Sequence, residues 1–461
     1  MAMPLRAARG LAACVMLLLA ACATPADLNP STAQLAAQPL ITRHGRIPES
    51  ATDEVLAIAA GGTSRAEKEA FEKLTDAVRK SMVAPLVAGN QVTALVDGPQ
   101  TFAAIDAAVL KAKHHVHVET YIFSDDELGE KFAQLLIRKR KEGLEVRVIY
   151  DAVGSLTTPK KFFDELRDGG VDIIEFHPIS PVKTWVWKFQ NRDHRKIIVV
   201  DGTTAFTGGI NISGAYSSAS VTKPGPKKGI DEGWRDTHVR IVGPVASQFQ
   251  EIFLATWGQL GGKIGPRSKY FPEGKSDGDT FVSAVASKSG EQKEEEIYRT
   301  YMAAIGNASK RIWITQAYFA PPAEMRKALL EAVRRGVDVR VIVPGFTDSK
   351  LILYAAHGEY DRLLEGGVRI IERQDALLHA KTALIDNGLV IIGSANLDYR
   401  SFLHNNEVTA VIIGEDISNR MADVYQSDMK RGKELTLEEW RDRPALSRVK
   451  ESLAWMMKFW L

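Results

Sequence analysis

At 461 residues, 45% of them apolar, the chain is long enough for several domains and has ample material for a sizeable core. Lys and Arg number 59 against 57 Asp and Glu, so no global field draws in nucleic acid, and bulk nucleic-acid binding is not expected. Its two cysteines, Cys14 and Cys22, both stand near the N-terminus, which excludes a disulfide or a cysteine metal site in the body.

Residues 1–22 read as a targeting segment: Arg6 and Arg9 precede an unbroken apolar run from Leu11 to Ala21. Spanning a bilayer takes ~20 residues; this shorter run suits a secretory signal. It ends in Leu19-Ala20-Ala21-Cys22, which resembles the lipobox of bacterial lipoproteins. The resemblance implies a lipidated Cys22 as the mature N-terminus. With Ala23 following, it also implies a periplasm-facing tether in the cell envelope, at the outer membrane rather than the inner. Residues 23–63, rich in Ala, Thr, Pro and Gln, read as a spacer.

Ser64-Arg65-Ala66-Glu67 has the form of a helix N-cap with its acid three residues on. From there the chain repeats itself. Gly143 to Asp151 (GLEVRVIYD) matches Gly336 to Pro344 (GVDVRVIVP), and Gly170 to Glu175 (GVDIIE) matches Gly367 to Glu372 (GVRIIE). Strand-like runs, Val116 to Phe123 and Ile312 to Phe319, lie upstream of each, followed by amphipathic helices. Short β-branched runs alternating with helices indicate βαβ units. The predicted fold is α/β: two homologous halves, 64–261 and 294–430, each a mixed β-sheet flanked by helices, related by a pseudo-twofold. Residues 262–293 are expected as a linker and 431–461 as an amphipathic tail. Two insertions distinguish the first half, one carrying Lys183, Trp185, Trp187, Lys188 and Phe189, the other Lys223, Lys227 and Lys228.

Each half also carries one spaced triplet, His194-x-Lys196 with Asp201 and His379-x-Lys381 with Asp386. Gly208-Gly209 and Asn211 follow the first; Gly393-Ser394 and Asn396 follow the second. The triplets fall on hairpins turning at Asp201-Gly202 and Asn387-Gly388. His and Lys, two apart on a strand, project from one face, whereas Asp201 and Asp386 project from the other and abut the turn, which suits strand-end bonding. One such histidine is most often structural, but two in identical contexts point to a shared catalytic site. A neutral imidazole can attack phosphorus while a protonated one hands its proton to the leaving oxygen. Lys196, Lys381, Asn211 and Asn396 are then expected to hold the phosphate oxygens, and carboxylates must orient the imidazoles, for which Asp236 and Glu407 lie at a suitable remove. No metal or cofactor is called for, because an ammonium stands where a second zinc ligand should be. His404 and Asn405, just before Glu407, are placed to line the pocket.

This doubled pattern resembles the phospholipase D superfamily. The strings NRDHRKIIVVDG, TGGINIS, WRDTHVRI, LLHAKTALIDNG, GSANLDYRSF and NNEV resemble its bacterial cardiolipin synthases in particular, over roughly residues 95–461. The resemblance implies a phosphatidyl-histidine intermediate with His194 as nucleophile and His379 as acid, then base. It also implies transfer of phosphatidyl from phosphatidylglycerol to a second lipid, yielding cardiolipin and glycerol. One departure is that the family's usual N-terminal transmembrane helices are replaced by the lipobox signal. A hydrolase, or a transferase with another acceptor, is the alternative; a periplasmic nuclease and a non-enzymatic scaffold are weaker readings. The anchor, the Trp185/Trp187/Phe189 loop and the basic-aromatic stretch Ala445 to Leu461 suit a membrane surface. One chain holds both motifs, so no oligomer is required.

Overall fold

The computed structural model describes residues 36–461 apart from 43–44, 62–63, 180–189, 219, 221–232, 273–276, 290–294 and 457–461. The signal segment with Cys22, the Trp185/Trp187/Phe189 loop, Lys223, Lys227, Lys228 and the last residues of the tail lie outside the described residues.

Two short strands come first, β1 (Ile41–Thr42) and β2 (Gly45–Arg46). The first half contributes β3 (Val87–Val96), β4 (His115–Thr120), β5 (Glu145–Asp151), β6 (Asp172–Phe176), β7 (Arg192–Asp193), β8 (Ile197–Val200), β9 (Thr204–Gly208) and β10 (Thr237–Val242). In the second stand β11 (Thr280–Ser287), β12 (Arg311–Gln316), β13 (Asp338–Pro344), β14 (Arg369–Arg373), β15 (Lys381–Ile385), β16 (Leu389–Gly393), β17 (Asn405–Ile413) and β18 (Gly432–Glu434).

Pairing in the first half runs β6-β5-β4-β8-β9-β10-β3. The second runs β14-β13-β12-β15-β16-β17-β11, the same order again. Strands β3 and β11 meet antiparallel, so the two sheets continue into one another at their matching edges. The parallel strands are covered on both faces, which is why Val116, Val118, Val146, Val148 and Ile149 form near-continuous apolar runs. Helices Glu127–Lys141 and Lys160–Asp168 cover one face with Phe132, Leu136, Phe162, Phe163 and Leu166. A second core crosses the seam, packing Val199, Ala205, Val239 and Ile241 against Val282, Val390, Val408 and Ile412.

Three expected boundaries change. Residues 262–293, read as a linker, contain β11, which pairs with β17 from Phe281 to Ser287 and stands where β3 stands in the first half. The 23–63 spacer ends early: Leu40 and Leu56 are fully buried, and helix Glu49–Ala59 offers Glu49 and Asp53 to the buried Arg79 guanidinium. In the tail, β18 pairs with β14, and helix Ala445–Met456 lies along helix Lys350–Glu365, where Trp455 Nε1 donates to Glu359 Oε1 at 2.6 Å. The outer face of that last helix leaves Leu446, Val449, Leu453 and Met456 exposed. The N-cap at Ser64 forms a reciprocal box, with Glu67 N donating to Ser64 Oγ and Ser64 N to Glu67 Oε2. Among the described residues no helix is long and apolar enough to cross a membrane.

Candidate active site

The β8–β9 and β15–β16 hairpins carry the triplets. Both turns are longer than the two-residue form expected: Val200 pairs with Thr204 and Ile385 with Leu389, leaving three-residue loops. The left-handed position in each falls to the motif aspartate, with φ of +52° at Asp201 and +50° at Asp386. Asp201 accepts the backbone N–H groups of Lys113, His114 and His115 at 2.8–2.9 Å. Likewise Asp386 accepts those of Ser309, Lys310 and Arg311 at 2.7–3.1 Å. Each aspartate thus clasps its hairpin to the start of the neighbouring antiparallel strand, β4 or β12, away from the cavity that the histidines line. Of the two roles open to a motif aspartate, catalysis or strand-end bonding, these contacts serve the second.

At the other end of β8 and β15 the two halves interlock. β7 pairs in parallel with the start of β17, and Arg235 bridges Leu378 in the same way. As a result His194 N donates to Asn406 O (2.9 Å) and His379 N to Arg235 O (2.8 Å). The carboxylates one residue further on, Glu407 and Asp236, therefore face the opposite half's histidine. His194 Nδ1 lies 2.9 and 3.0 Å from the two oxygens of Glu407, and His379 Nδ1 lies 2.8 Å from Asp236 Oδ2. An ionised carboxylate only accepts, so Nδ1 carries the proton and Nε2 keeps its lone pair. The Tyr216 hydroxyl, 3.0 Å from His379 Nδ1, flanks the second pair.

The glycines beside these pairs have a steric reason. A Cβ at Gly209 would come within 2.2 Å of Asp236 Oδ1, so this carboxylate tolerates no side chain there. Ser394, the corresponding residue, instead donates its hydroxyl to Glu407 Oε2 at 2.5 Å, and Asn405 Nδ2 donates to Oε1 at 3.2 Å.

Burial sets the charges. It drives the His194 imidazole well below its ordinary value, with Lys196 and Lys381 adding to the effect. His379 is lowered by the same burial and by Lys381, but its hydrogen bond to Asp236 opposes the shift. Asp236 resists its own burial through the His379 hydrogen bond and the nearby positive charge, and its carboxyl sits below the usual range. Glu407 does not: burial pushes it up to about 7 despite Lys196, Ser394 and Asn405. Burial also brings Lys196 down to about 7 and Lys381 to about 8, against the pull of Glu407 and Asp236. Each ammonium donates to the carbonyl of its own motif histidine, Lys196 at 2.8 Å and Lys381 at 2.5 Å.

His194, His379, Asn211 and Asn396 line one cavity of about 360 Å³, together with Tyr121, Trp234, Tyr318, Asp348, Asp398, Arg400 and Asn405. Asn211 Oδ1 accepts from Ile122 N at 3.2 Å, while Asn396 Oδ1 is buried with no partner among the described residues. Of His404 and Asn405, the second lines the cavity and the first does not. A larger cavity of about 930 Å³ adjoins it, sharing Trp234 and Asp348 and walled by Phe102, Leu128 and Phe132 among others. The aromatic wall and Asp348 were not identified from sequence. Tyr121 and Tyr318 fall near the ends of the strand-like runs repeated in each half, but one position out of register with each other, so the repeat does not single them out.

Known proteins resemble this chain in sequence and in fold. Residues 105–220 and 301–429 match the family described as "Cardiolipin synthase, PLD-like domain". The chain is 38% identical to a cardiolipin synthase of Geobacillus sp. over 373 residues, 80% of this chain and 72% of that one. It is 37% identical to cardiolipin synthase A of Pseudomonas putida over 385 residues, 83% of this chain and 77% of that one. A crystal structure of phosphatidylserine synthase from Haemophilus influenzae superposes with a TM-score of 0.64 at 17% identity, covering 84% of this chain and all of that one, which is a likeness of fold. With both halves matched and the histidine motifs meeting in one cavity, the chain belongs to the cardiolipin synthase family of phospholipase D-like proteins.

Proposed function

We propose that this chain is a phosphatidyltransferase that condenses two phosphatidylglycerol molecules into cardiolipin and releases glycerol. The observation that carries this reading is a pair of histidine–carboxylate couples facing a single cavity, each couple built across the two halves. His194 Nε2 forms a bond to the donor phosphorus as the bond from phosphorus to the glycerol oxygen breaks. The leaving oxygen takes the proton from His379 Nε2. In the second step His379 withdraws the proton of the acceptor's hydroxyl, whose oxygen bonds phosphorus and frees His194. Lys196, Lys381 and the carboxamides of Asn211 and Asn396 neutralise and hydrogen-bond the equatorial oxygens while charge develops there. The role split follows the electrostatics. His194, next to the weakly acidic Glu407 and two ammonium groups, is held neutral for attack. His379, next to the strongly ionised Asp236, is better fitted to carry a proton.

Membrane attachment belongs to the same reading. Cys22 lipidation would tether the enzyme to the envelope, periplasm-facing at the outer membrane. The exposed Leu446, Val449, Leu453 and Met456 face, with Arg448 and Lys450 on the same helix, suits an anionic lipid surface. Loss of membrane sedimentation in Cys22→Ser tests the tether. The activity is tested with purified protein and labelled phosphatidylglycerol vesicles. Cardiolipin and glycerol in equal amounts are expected, with none from His194→Ala; phosphatidic acid as the sole product overturns the proposal.

A further inference from the structure

Asp348 stands at the junction of the two cavities, lining both of them. It follows β13 on the loop before helix Lys350–Glu365 and is exposed. Its Oδ1 accepts from the hydroxyls of Tyr318 and Thr347, each at 2.8 Å, which fixes the carboxylate in place. Among the described residues nothing bonds Oδ2. Tyr318 in turn stands edge-on to His379, ring centroids 6.4 Å apart, so Asp348 belongs to the His379 side of the site. That side is where the proton meets the alcohol oxygen in both steps. The alcohol's other substituents must therefore lie between His379 and the larger cavity. Among the described residues the wall beyond carries Asp106, Asp126 and Glu127 against Lys131, an environment that favours hydroxyl donors over further anions.

We propose that Asp348 is the specificity-determining residue for the headgroup alcohol, its free Oδ2 accepting a hydrogen bond from a hydroxyl of a polyol such as glycerol. The same contact serves the departing glycerol and the incoming glycerol headgroup, because the two occupy one place in successive steps. This inference rests on the phosphatidyl transfer described above. It adds a reason for the site to prefer an alcohol with neighbouring hydroxyls over water or a simple alkanol.

The test compares two donors in the full chain, phosphatidylglycerol and phosphatidylpropanol, which differ by the two hydroxyls. Asp348→Ala should reduce kcat/KM for phosphatidylglycerol relative to phosphatidylpropanol by roughly 10- to 100-fold, the usual loss for a hydrogen bond to a charged group. Asp348→Asn, whose oxygen stays with Tyr318 and Thr347 while its NH₂ can donate to the same substrate hydroxyl, should recover part of that ratio. Offering glycerol and propanol as acceptors should show the same change in preference. An equal fall on both donors would reduce Asp348 to a support for Tyr318, and no change would remove it from the site; either overturns the proposal. Wild-type enzyme that discriminates the donors but forms no cardiolipin would count against the proposed function and leave the Asp348 contact standing.

Discussion

Exchanging one carboxylate at a time should disable one histidine's role at a time, because each serves a different histidine. Asp236 has two obligatory donors, His379 Nδ1 at Oδ2 (2.8 Å) and Thr237 N at Oδ1 (2.7 Å). Asparagine offers only one acceptor oxygen, so its NH₂ must face one of those donors. Glu407→Gln escapes this conflict. The Ser394 hydroxyl at Oε2 can turn round and accept, leaving Oε1 for His194 and Asn405. A hydrogen bond to a charged partner is worth about 1.5–3 kcal/mol, roughly 10- to 150-fold in rate. Asp236→Asn should sit at or beyond the upper end of that range, and Glu407→Gln near the lower end. The assay is single-turnover release from two donors, phosphatidylglycerol and phosphatidyl-p-nitrophenol, whose phenolate leaves without a proton. Asp236→Asn should lose its full factor on the glycerol donor but under about threefold on the nitrophenyl donor, since no acid is needed there. Glu407→Gln should lose about tenfold on both, since attack by His194 is common to them. Equal losses on both donors for Asp236→Asn would refute the assignment of His379 as acid, and the opposite pattern would exchange the two histidines.

Binding of glycerophosphoglycerol, singly charged throughout, should weaken as pH rises from 7 to 9, by up to about tenfold per unit for each lysine that must regain its proton. Calorimetry should record the proton uptake, and a Kd that ignores pH would refute the lowering of Lys196 to about 7 and Lys381 to about 8. The unliganded protein should gain stability over the same window, because an unfolded lysine stays protonated to near 10.5 while the buried one does not. Asp386→Ala strands three backbone donors and should lose about 2–3 kcal/mol in chemical denaturation, with Asp386→Asn milder because asparagine tolerates the left-handed backbone; a collapse of kcat at unchanged stability would return Asp386 to the chemistry. Gly209→Ala must displace the Asp236 carboxylate from a 2.2 Å clash, so it should reproduce the Asp236→Asn donor pattern, and wild-type behaviour would contradict the packing.

The motif residues were legible because their chemistry and their repetition coincide in the chain. His194, Lys196, His379 and Lys381 recur at fixed spacing on strands, and strand geometry alone sends His and Lys to one side. What spacing could not reveal was which carboxylate meets which histidine. Asp236 follows the first motif and Glu407 the second, so a reading along the chain pairs each within its own half. The crossing arises from the parallel contacts of β7 with β17 and of Arg235 with Leu378, pairings of high sequence separation. β3 and β11 were missed for a related reason. They precede the repeated strings, and their partners, β10 and β17, lie far along the chain, so nothing local marks them as the first strand of each half.

Crossing the carboxylates has a chemical consequence beyond joining the halves. In a strictly symmetric pair both histidines would share one environment and neither would be fitted to a single role. Here the halves have diverged at the residues behind the imidazoles. Glycine at 209 leaves room for a short aspartate held tightly by Thr237 N, and its charge persists through burial. Serine at 394 meets a longer glutamate, and burial raises that carboxyl to about 7. Since each carboxylate acts on the other half's histidine, a change behind one motif tunes the opposite one. In the proposed mechanism the divergence separates acid from nucleophile without altering either His-x-Lys string, so both motifs read as intact while the site they build is asymmetric.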